Sequence, residues 1–243
     1  MPIINIVIPM AGEGRRFKEA GFKKPKPFID VAGKTMIERV LDNLKIDDAR
    51  FILIARDDHL EKKKDLINLI KKRHNCRFLK IAKLTEGAAC SVLLAKDYIN
   101  NDNPIFIANS DQIIDMNPLE FIEDSKRRAL DGCILTFYSD HPKWSYAKVD
   151  DKNLVTMIKE KEVISPYATV GIYYFKKGRD FVNSAEEMIA NNDRVNNEFY
   201  VAPVYNYFIK KGAKTGVYNI KESQMHGLGT PEDLELYLEH LKI

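Results

Sequence analysis

Cysteine is scarce in this sequence: three in 243 residues, Cys76, Cys90 and Cys133. The count is odd and the three lie far apart, so neither a disulfide framework nor a metal-ligand spacing is present. Free thiols in a reducing compartment are expected. Long apolar runs are missing too. The stretch IINIVIP at 3–9 is too short to span a bilayer and is bounded by prolines. With no basic-then-apolar leader, the expectation is a cytoplasmic protein without a membrane anchor. An excess of either charge is also absent, since 38 Lys and Arg face 35 Asp and Glu, a net of +3. That balance argues against a general nucleic-acid binder, which carries a dominant basic field, and makes any positive patch local. No Gly/Ser linker, low-complexity tract or internal repeat divides the chain.

What is present is an alternation. With 45% hydrophobic and 30% charged residues the chain can fill one core and clothe it. Residues 3–8 (IINIVI) are apolar at nearly every position and read as a buried strand; FILIA (51–55), RFLKIA (77–82) and PIFIAN (104–109) read likewise. Thr35 and Glu38 form a capping box that opens a helix with Met36, Ile37, Val40, Leu41 and Leu44 on one side. A charged helix is expected over 58–73, with Leu66, Ile67 and Ile70 inward, and a further helix runs from Thr85–Gly87 to near Asn100. Strand–helix alternation implies right-handed crossovers and a mainly parallel sheet, with ligands beyond the carboxyl ends of its strands. The loop after residue 8, Thr85–Gly87 and Asn109–Asp111 all fall at those ends.

After about residue 131 the pattern changes. GCILTFYS, YAKVD, LVTMIKE and ATVGIYYF are short strands with turn-like links, as in antiparallel pairs. Helices follow near 179–191 and 200–211, then a strand near 214–220 and a helix after Pro231. The reading is one α/β domain over 1–243, with a nucleotide-binding half (1–130) and an acceptor-binding half (131–243). The run EKKKDLINLIKKRH (61–74) is mixed in sign and helical in period, so it reads as a solvated helix face. Trp144 is expected to pack the small sheet; Tyr146 is open between packing and the acceptor.

The stretch IPMAGEGRRFKEAGFKKPKPF (8–28) carries the chemistry. Gly12-x-Gly14 begins like a dinucleotide fingerprint, but position 17 is Phe, and the next clear helix is expected only near Met36. No Gly-Lys-Ser/Thr follows, so a Walker loop is excluded. A phosphate loop built on backbone N–H groups and side-chain cations remains, beside the plainer reading of a tight surface turn with solvated basic residues. Pro25 and Pro27 restrict the backbone around Lys26, as suits a lysine aimed at one place.

This stretch resembles the signature of the sugar-phosphate nucleotidylyltransferase family, G-x-G-x-R followed about ten residues later by P-K. The resemblance implies a Rossmann-like three-layer α/β fold, with a mixed, mainly parallel sheet and a small antiparallel sheet on the acceptor side. It implies that Ala11, Gly12, Glu13, Gly14 and Arg15 wrap a nucleoside triphosphate, with Arg16 and Lys26 on the reacting phosphates. Thr85, Glu86, Gly87 and Asn109 would complete the nucleotide site, although Thr85 also suits a helix cap. Asp111 would hold Mg²⁺, a hard cation that prefers oxygen ligands. Lys161, in IKEKEV, would meet the acceptor's phosphate, and Gly171 would contact the acceptor beside it.

One position departs from the family pattern. Many relatives place a second metal-binding Asp two residues before the Gly-Thr of GTPEDL, and Gly227 stands there, preceded by His226. Glu198 is the candidate to replace it at the metal, with a role in capping or acceptor binding as the alternative. The missing Asp also leaves open a nucleotide-binding regulator without turnover. TEGAA (85–89), NNEFYVAPVYN (196–206) and HGLGTPEDL (226–234) are similar to segments of bacterial capsule-locus cytidylyltransferases. That similarity implies CTP and a small phosphorylated acceptor as partners; a hexose 1-phosphate with UTP or dTTP is the alternative within the enzyme class.

Overall fold

The computed structural model describes residues 3–242. Strand β1 (Asn5–Pro9) runs into helix α1 (Arg15–Glu19), a 3₁₀ turn at Lys26–Phe28, the small hairpin β2 (Asp30–Val31) and β3 (Lys34–Thr35), and α2 (Met36–Asn43). Then come β4 (Arg50–Arg56), α3 (Asp57–Glu61), α4 (Lys64–Arg73), β5 (Cys76–Ile81), α5 (Ala88–Leu93) and α6 (Lys96–Ile99). They are followed by β6 (Ile105–Ala108), β7 (Gln112–Ile114) and α7 (Pro118–Arg127). The second half holds β8 (Gly132–Tyr138), β9 (Ser145–Val149), β10 (Val155–Glu160), β11 (Tyr167–Phe175), α8 (Gly178–Ala190) and α9 (Val204–Lys210). It closes with β12 (Thr215–Ile220), β13 (Met225–Gly227) and α10 (Pro231–His240).

β1 lies between β4 and β6, parallel to both, and β5 extends the parallel run beyond β4. The apolar runs of β1, β4 and β6 follow from burial on both faces, whereas the edge strand β5 exposes Arg77 and Lys80. Side chains alternate across the sheet, so Ile6, Ile8, Leu53 and Phe106 join one core cluster while Val7, Ile52, Ile54, Ile105 and Ile107 join the other. β11 then pairs antiparallel with β6 and carries the sheet on to β8 and β9. The antiparallel strands thus continue the central sheet. Separate two-stranded ribbons are formed by β2–β3 and by β7–β13.

Thr35 caps α2 through the reciprocal bonds of its capping box, and Met36, Ile37, Val40, Leu41 and Leu44 are buried. Three local expectations need correction. The glycine loop does turn at once into a helix: α1 starts at Arg15, with Gly14 as a left-handed N-cap (φ +61°). It is only five residues long and buries only Phe17, too little to leave a periodic pattern. The helix expected over 58–73 is two helices broken at Lys62–Lys63, because residues 61–65 (EKKKD) offer no apolar side chain to continue the buried stripe between Leu60 and Ile67. The helix after Gly87 is likewise split into α5 and α6 at Leu94–Ala95.

Trp144 packs edge-to-face on Phe137 with ring centroids 5.3 Å apart, and Tyr146 is buried with its hydroxyl donating to the His141 carbonyl at 2.8 Å, so both are packing residues. The three cysteines are free; burial pushes the Cys76 thiol up to about 11 and the Cys133 thiol up to about 12, which leaves both unreactive. Among the described residues no helix is long and apolar enough to cross a membrane.

Candidate active site

At the carboxyl ends of β1 and β6, and in the segment between β5 and α5, three loops border one cleft of about 790 Å³. Residues Ala11–Arg16 and Lys26 form one wall, Thr85 and Gly87 another, and Asn109 and Asp111 the floor, with Glu198 reaching in from the second half. Twelve of the fifteen residues singled out in the sequence line this cleft. Glu86, Lys161 and Gly171 do not.

Lys26 and Asp111 form the central ion pair. Their side chains are 17% and 23% exposed, and the Lys26 ammonium also donates to the Gly229 carbonyl at 3.4 Å. The pair is built from three places. The 3₁₀ turn starting at Lys26 is set by Pro25 and Pro27, and the Lys26 Cβ packs against the Gly14 Cα, where a built Cβ would stand 3.0 Å away. Asp111 follows β6, and its carbonyl accepts from the Leu228 N–H at 2.7 Å, which brings the Gly227–Gly229 segment to the same edge.

The two neighbouring arginines differ. Arg15 is bound to Glu13 at 2.9 Å, and this guanidinium holds the Glu13 carboxyl below its usual range. Arg16 has no ion-pair partner among the described residues and lines the cleft. The opposite wall is tied down by backbone. Gly87 has φ +126°, and a side chain there would meet the Phe199 backbone N and O at 2.5 Å. Phe199 N–H donates to the Glu86 carbonyl at 2.7 Å, and Ala89 N–H donates to the Phe199 carbonyl at 3.0 Å. This links the 85–87 loop to Glu198. Gly87, not Thr85, is the N-cap residue of α5. The Thr85 hydroxyl lies 3.0 Å from the Gly87 carbonyl and 2.6 Å from the Ser91 hydroxyl.

Outside the cleft, the Glu86 carboxylate pairs with Arg194 at 3.1 Å. Gly171 (φ +88°) sits within 2.2 Å of the Asn109 amide by its built Cβ, and its carbonyl accepts from Asn109 N–H at 3.0 Å. It therefore shapes the bulge of β11 that seats Asn109, whose amide reaches Gln112 at 3.1 Å. Lys161 donates to the Tyr200 hydroxyl at 2.8 Å and lies 4.9 Å from that ring's centroid. Burial would lower its ammonium, but Tyr200, Glu160 and Glu198 outweigh burial and hold it above the ordinary lysine value. Burial raises the Glu160 carboxyl despite its bond from the Ser145 hydroxyl. Glu198 is thus shared: it lines the cleft and is felt electrostatically at Lys161.

Ser91 and Ser110 line the cleft without having been singled out, and Tyr200 meets Lys161. Ser110 lies between two predicted residues and Tyr200 closes the segment NNEFY, so a signal existed for both. Ser91 carries none, since only the start of α5 turns it inward. His226 does not replace the missing acid beside Asp111; its ring meets Asp115 at 2.7 Å.

A loop of glycines at one strand end, an acid at another and a lysine between two prolines meet at one cleft. The family model described as nucleotidyl transferase matches residues 6–233. The chain belongs to the nucleotidyl transferase family. It is 25% identical over 176 residues to the bifunctional protein GlmU of Methanocaldococcus jannaschii, an alignment that covers 72% of this chain and 40% of that protein. The chain therefore spans less than half the length of this relative. The crystal structure of a nucleoside-diphosphate-sugar pyrophosphorylase from Vibrio cholerae is similar at a TM-score of 0.85, with 25% identity, covering 96% of this chain and 99% of that one. The inositol-1-phosphate CTP transferase of T. maritima shares the fold, with a TM-score of 0.77 at 15% identity over 100% of this chain and 96% of that one.

Proposed function

We propose that the protein is a cytidylyltransferase. It joins CMP from CTP to a small phosphorylated acceptor, with release of pyrophosphate. The acceptor proposed is L-glutamine phosphate, as in the CTP:phosphoglutamine cytidylyltransferases of capsular polysaccharide modification. The observation that carries nucleotidyl transfer is the cleft where Arg16, the Lys26–Asp111 pair and the Gly12–Gly14 loop converge. The choice of CTP and acceptor rests on the likeness of residues 85–89, 196–206 and 226–234 to that group.

The acceptor's phosphate oxygen attacks the α-phosphorus in line and pyrophosphate leaves. The attacking group is already an anion, so no general base is needed. The difficulty is to bring anions together and to stabilise charge in the transition state, so positioning and fixed cations are the means. Backbone at Gly12–Gly14 and Thr85–Gly87 holds the nucleotide. Lys26, paired with Asp111 when no nucleotide is bound, turns to the α-phosphate; Arg16, which makes no ion pair among the described residues, takes the leaving pyrophosphate. Lys161, with Tyr200, holds the acceptor phosphate. Asp111 and Glu198 both bring carboxylate oxygens to the cleft, a donor type that fits Mg²⁺, so they are the residues that would hold it. Held by these carboxylates, Mg²⁺ would supply charge that neutralises and orients the phosphates.

The Vibrio cholerae neighbour's name favours a second reading, a sugar phosphate as acceptor. Pyrophosphate release with Mg²⁺, four nucleoside triphosphates and a panel of phosphorylated acceptors decides. Release with CTP and phosphoglutamine is expected. Release only with glucose 1-phosphate moves the acceptor to the sugars, and nucleotide binding without any release overturns the enzyme reading.

A further inference from the structure

At the β7–β13 ribbon, outside the cleft lining, three residues far apart in sequence converge. Asp115 follows β7, His226 is the middle residue of β13 and His240 is the last residue of α10. The His226 Nε2 lies 2.7 Å from Asp115 Oδ2, and the His240 Nε2 lies 3.6 Å from the same oxygen. One candidate donor atom from each residue lies within 4.8 Å of the other two. The two imidazoles approach to 4.3 Å between centroids, with Tyr237 beside both.

We propose that Asp115, His226 and His240 form a binding site for a zinc-class divalent transition metal that fastens the end of α10 to the β7–β13 ribbon. The donor set decides the class. Two imidazoles and one carboxylate suit zinc and its neighbours, whereas magnesium and calcium take oxygen ligands. With bonds of about 2.0–2.1 Å, donors at adjacent corners of a tetrahedron stand about 3.3 Å apart. The separations of 2.7 and 3.6 Å bracket that value, so small side-chain rotations suffice. A hydrogen bond alone accounts for His226, but not for His240, whose Nε2 stands 3.6 Å from an oxygen already engaged, beyond hydrogen-bond reach.

Access and support are both present. Asp115 and His240 have side chains about half exposed, at 47% and 48%, which leaves an entry path and a corner for water. The backbone of Asp115 is held by Gln224: the Asp115 N–H donates to the Gln224 carbonyl and the Gln224 side-chain amide donates to the Asp115 carbonyl, each at 2.8 Å. The ribbon connects the site to the cleft, since β7 begins one residue after Asp111 and β13 leads into Leu228 and Gly229, which touch Asp111 and Lys26. A metal here fixes the two strands that present the active edge without itself touching nucleotide.

Chelator-stripped protein, with Mg²⁺ in excess to fill oxygen sites, is titrated with Co²⁺ and then Zn²⁺. Wild type is expected to bind one equivalent more than His240→Ala, to show tetrahedral visible bands with Co²⁺ and to melt several degrees higher with Zn²⁺. Affinity in His240→Ala should fall by more than the ~10–100-fold typical of losing an outer-shell partner. Asp115→Asn keeps the contact with His226 but loses the anionic ligand, and should lose the same equivalent. Equal stoichiometry in wild type and both variants, or a zinc-dependent melting shift that survives in them, overturns the assignment.

Discussion

Replacing Lys26 with alanine should move metal affinity and turnover in opposite directions. Without nucleotide, Asp111 gives its carboxylate to Lys26. A metal ion that uses that carboxylate must first displace the ammonium. An exposed ion pair is worth about 0.2–1 kcal/mol, and removing one partner of a fully buried pair costs about 3–5 kcal/mol. The two side chains here are 17% and 23% exposed, which places the pair between these limits, at about 2 kcal/mol. The Lys26→Ala protein should therefore be less stable by about that amount without metal, and should bind Mg²⁺ about 30-fold more tightly in the absence of nucleotide. Turnover should fall by ~10²–10³, the usual loss for one positioned donor at a transition-state charge. Calorimetric titration with Mg²⁺ and pyrophosphate release give the two readouts. Near-normal turnover refutes the role of Lys26 at the phosphates. Weaker Mg²⁺ binding refutes the competition at Asp111.

The two arginines of the loop should separate. Arg16→Ala should lose ~10²–10³ in turnover, whereas Arg15→Ala, which frees only a solvated pair with Glu13, should lose at most about 5-fold; equal losses would put both on the nucleotide. Gly87→Ala should cost about 2–5 kcal/mol in urea unfolding, since its Cβ collides with the Phe199 backbone at a positive φ, and it should disconnect Glu198 from the nucleotide wall. Gly12→Ala meets nothing within 4 Å, so its stability should stay within about 0.5 kcal/mol and any lost activity reports close approach of phosphate. His59 and His74 are buried, and burial holds both imidazoles below the ordinary histidine value. As pH falls through about 6.5 the unfolded chain takes up protons that the folded protein refuses, so stability drops towards acid. Urea unfolding at about pH 7.5 and about pH 5.5 should show this drop, and a His59→Gln/His74→Gln variant should flatten it; an unchanged slope would clear both residues.

The parallel half of the sheet was legible because burial on both faces writes itself as unbroken apolar sequence. Ile6 and Ile8 face one core and Val7 the other, so none of these three positions of β1 could be polar without cost. The α2 cap was legible because Thr35 and Glu38 answer each other locally. What escaped was decided by few or distant contacts. Helix α1 rests on the single buried Phe17, wedged edge-to-face on Phe22 with centroids 5.1 Å apart. Thr85 looked like a cap, but Phe199, more than a hundred residues away, fixes where α5 begins. Gly171 looked like a ligand contact, yet its lack of a side chain makes room for Asn109.

The departure at Gly227 shows the same division between motif and packing. The sequence marks the absence of an acid there but not what borders the position. A Cβ at 227 would meet the Asp233 carboxyl carbon at 3.5 Å, an ordinary contact, so the fold does not forbid a side chain. It does set a like charge beside any acid placed there, because Asp233 is fixed in the capping box of α10, accepting from the N–H of the N-cap residue Thr230 at 3.1 Å. A built Cβ at Gly229 would stand 3.5 Å from that same Asp233 oxygen and 3.6 Å from Asp111 Oδ2. The segment between β13 and α10 therefore already runs between two carboxylates, Asp111 at the end of β6 and Asp233 on the helix. A third acid at 227 would add repulsion that only a bound cation offsets. Glycine there relieves that repulsion in the absence of metal, and in its proposed role Glu198, lining the same cleft as Asp111, supplies the acid that position 227 lacks.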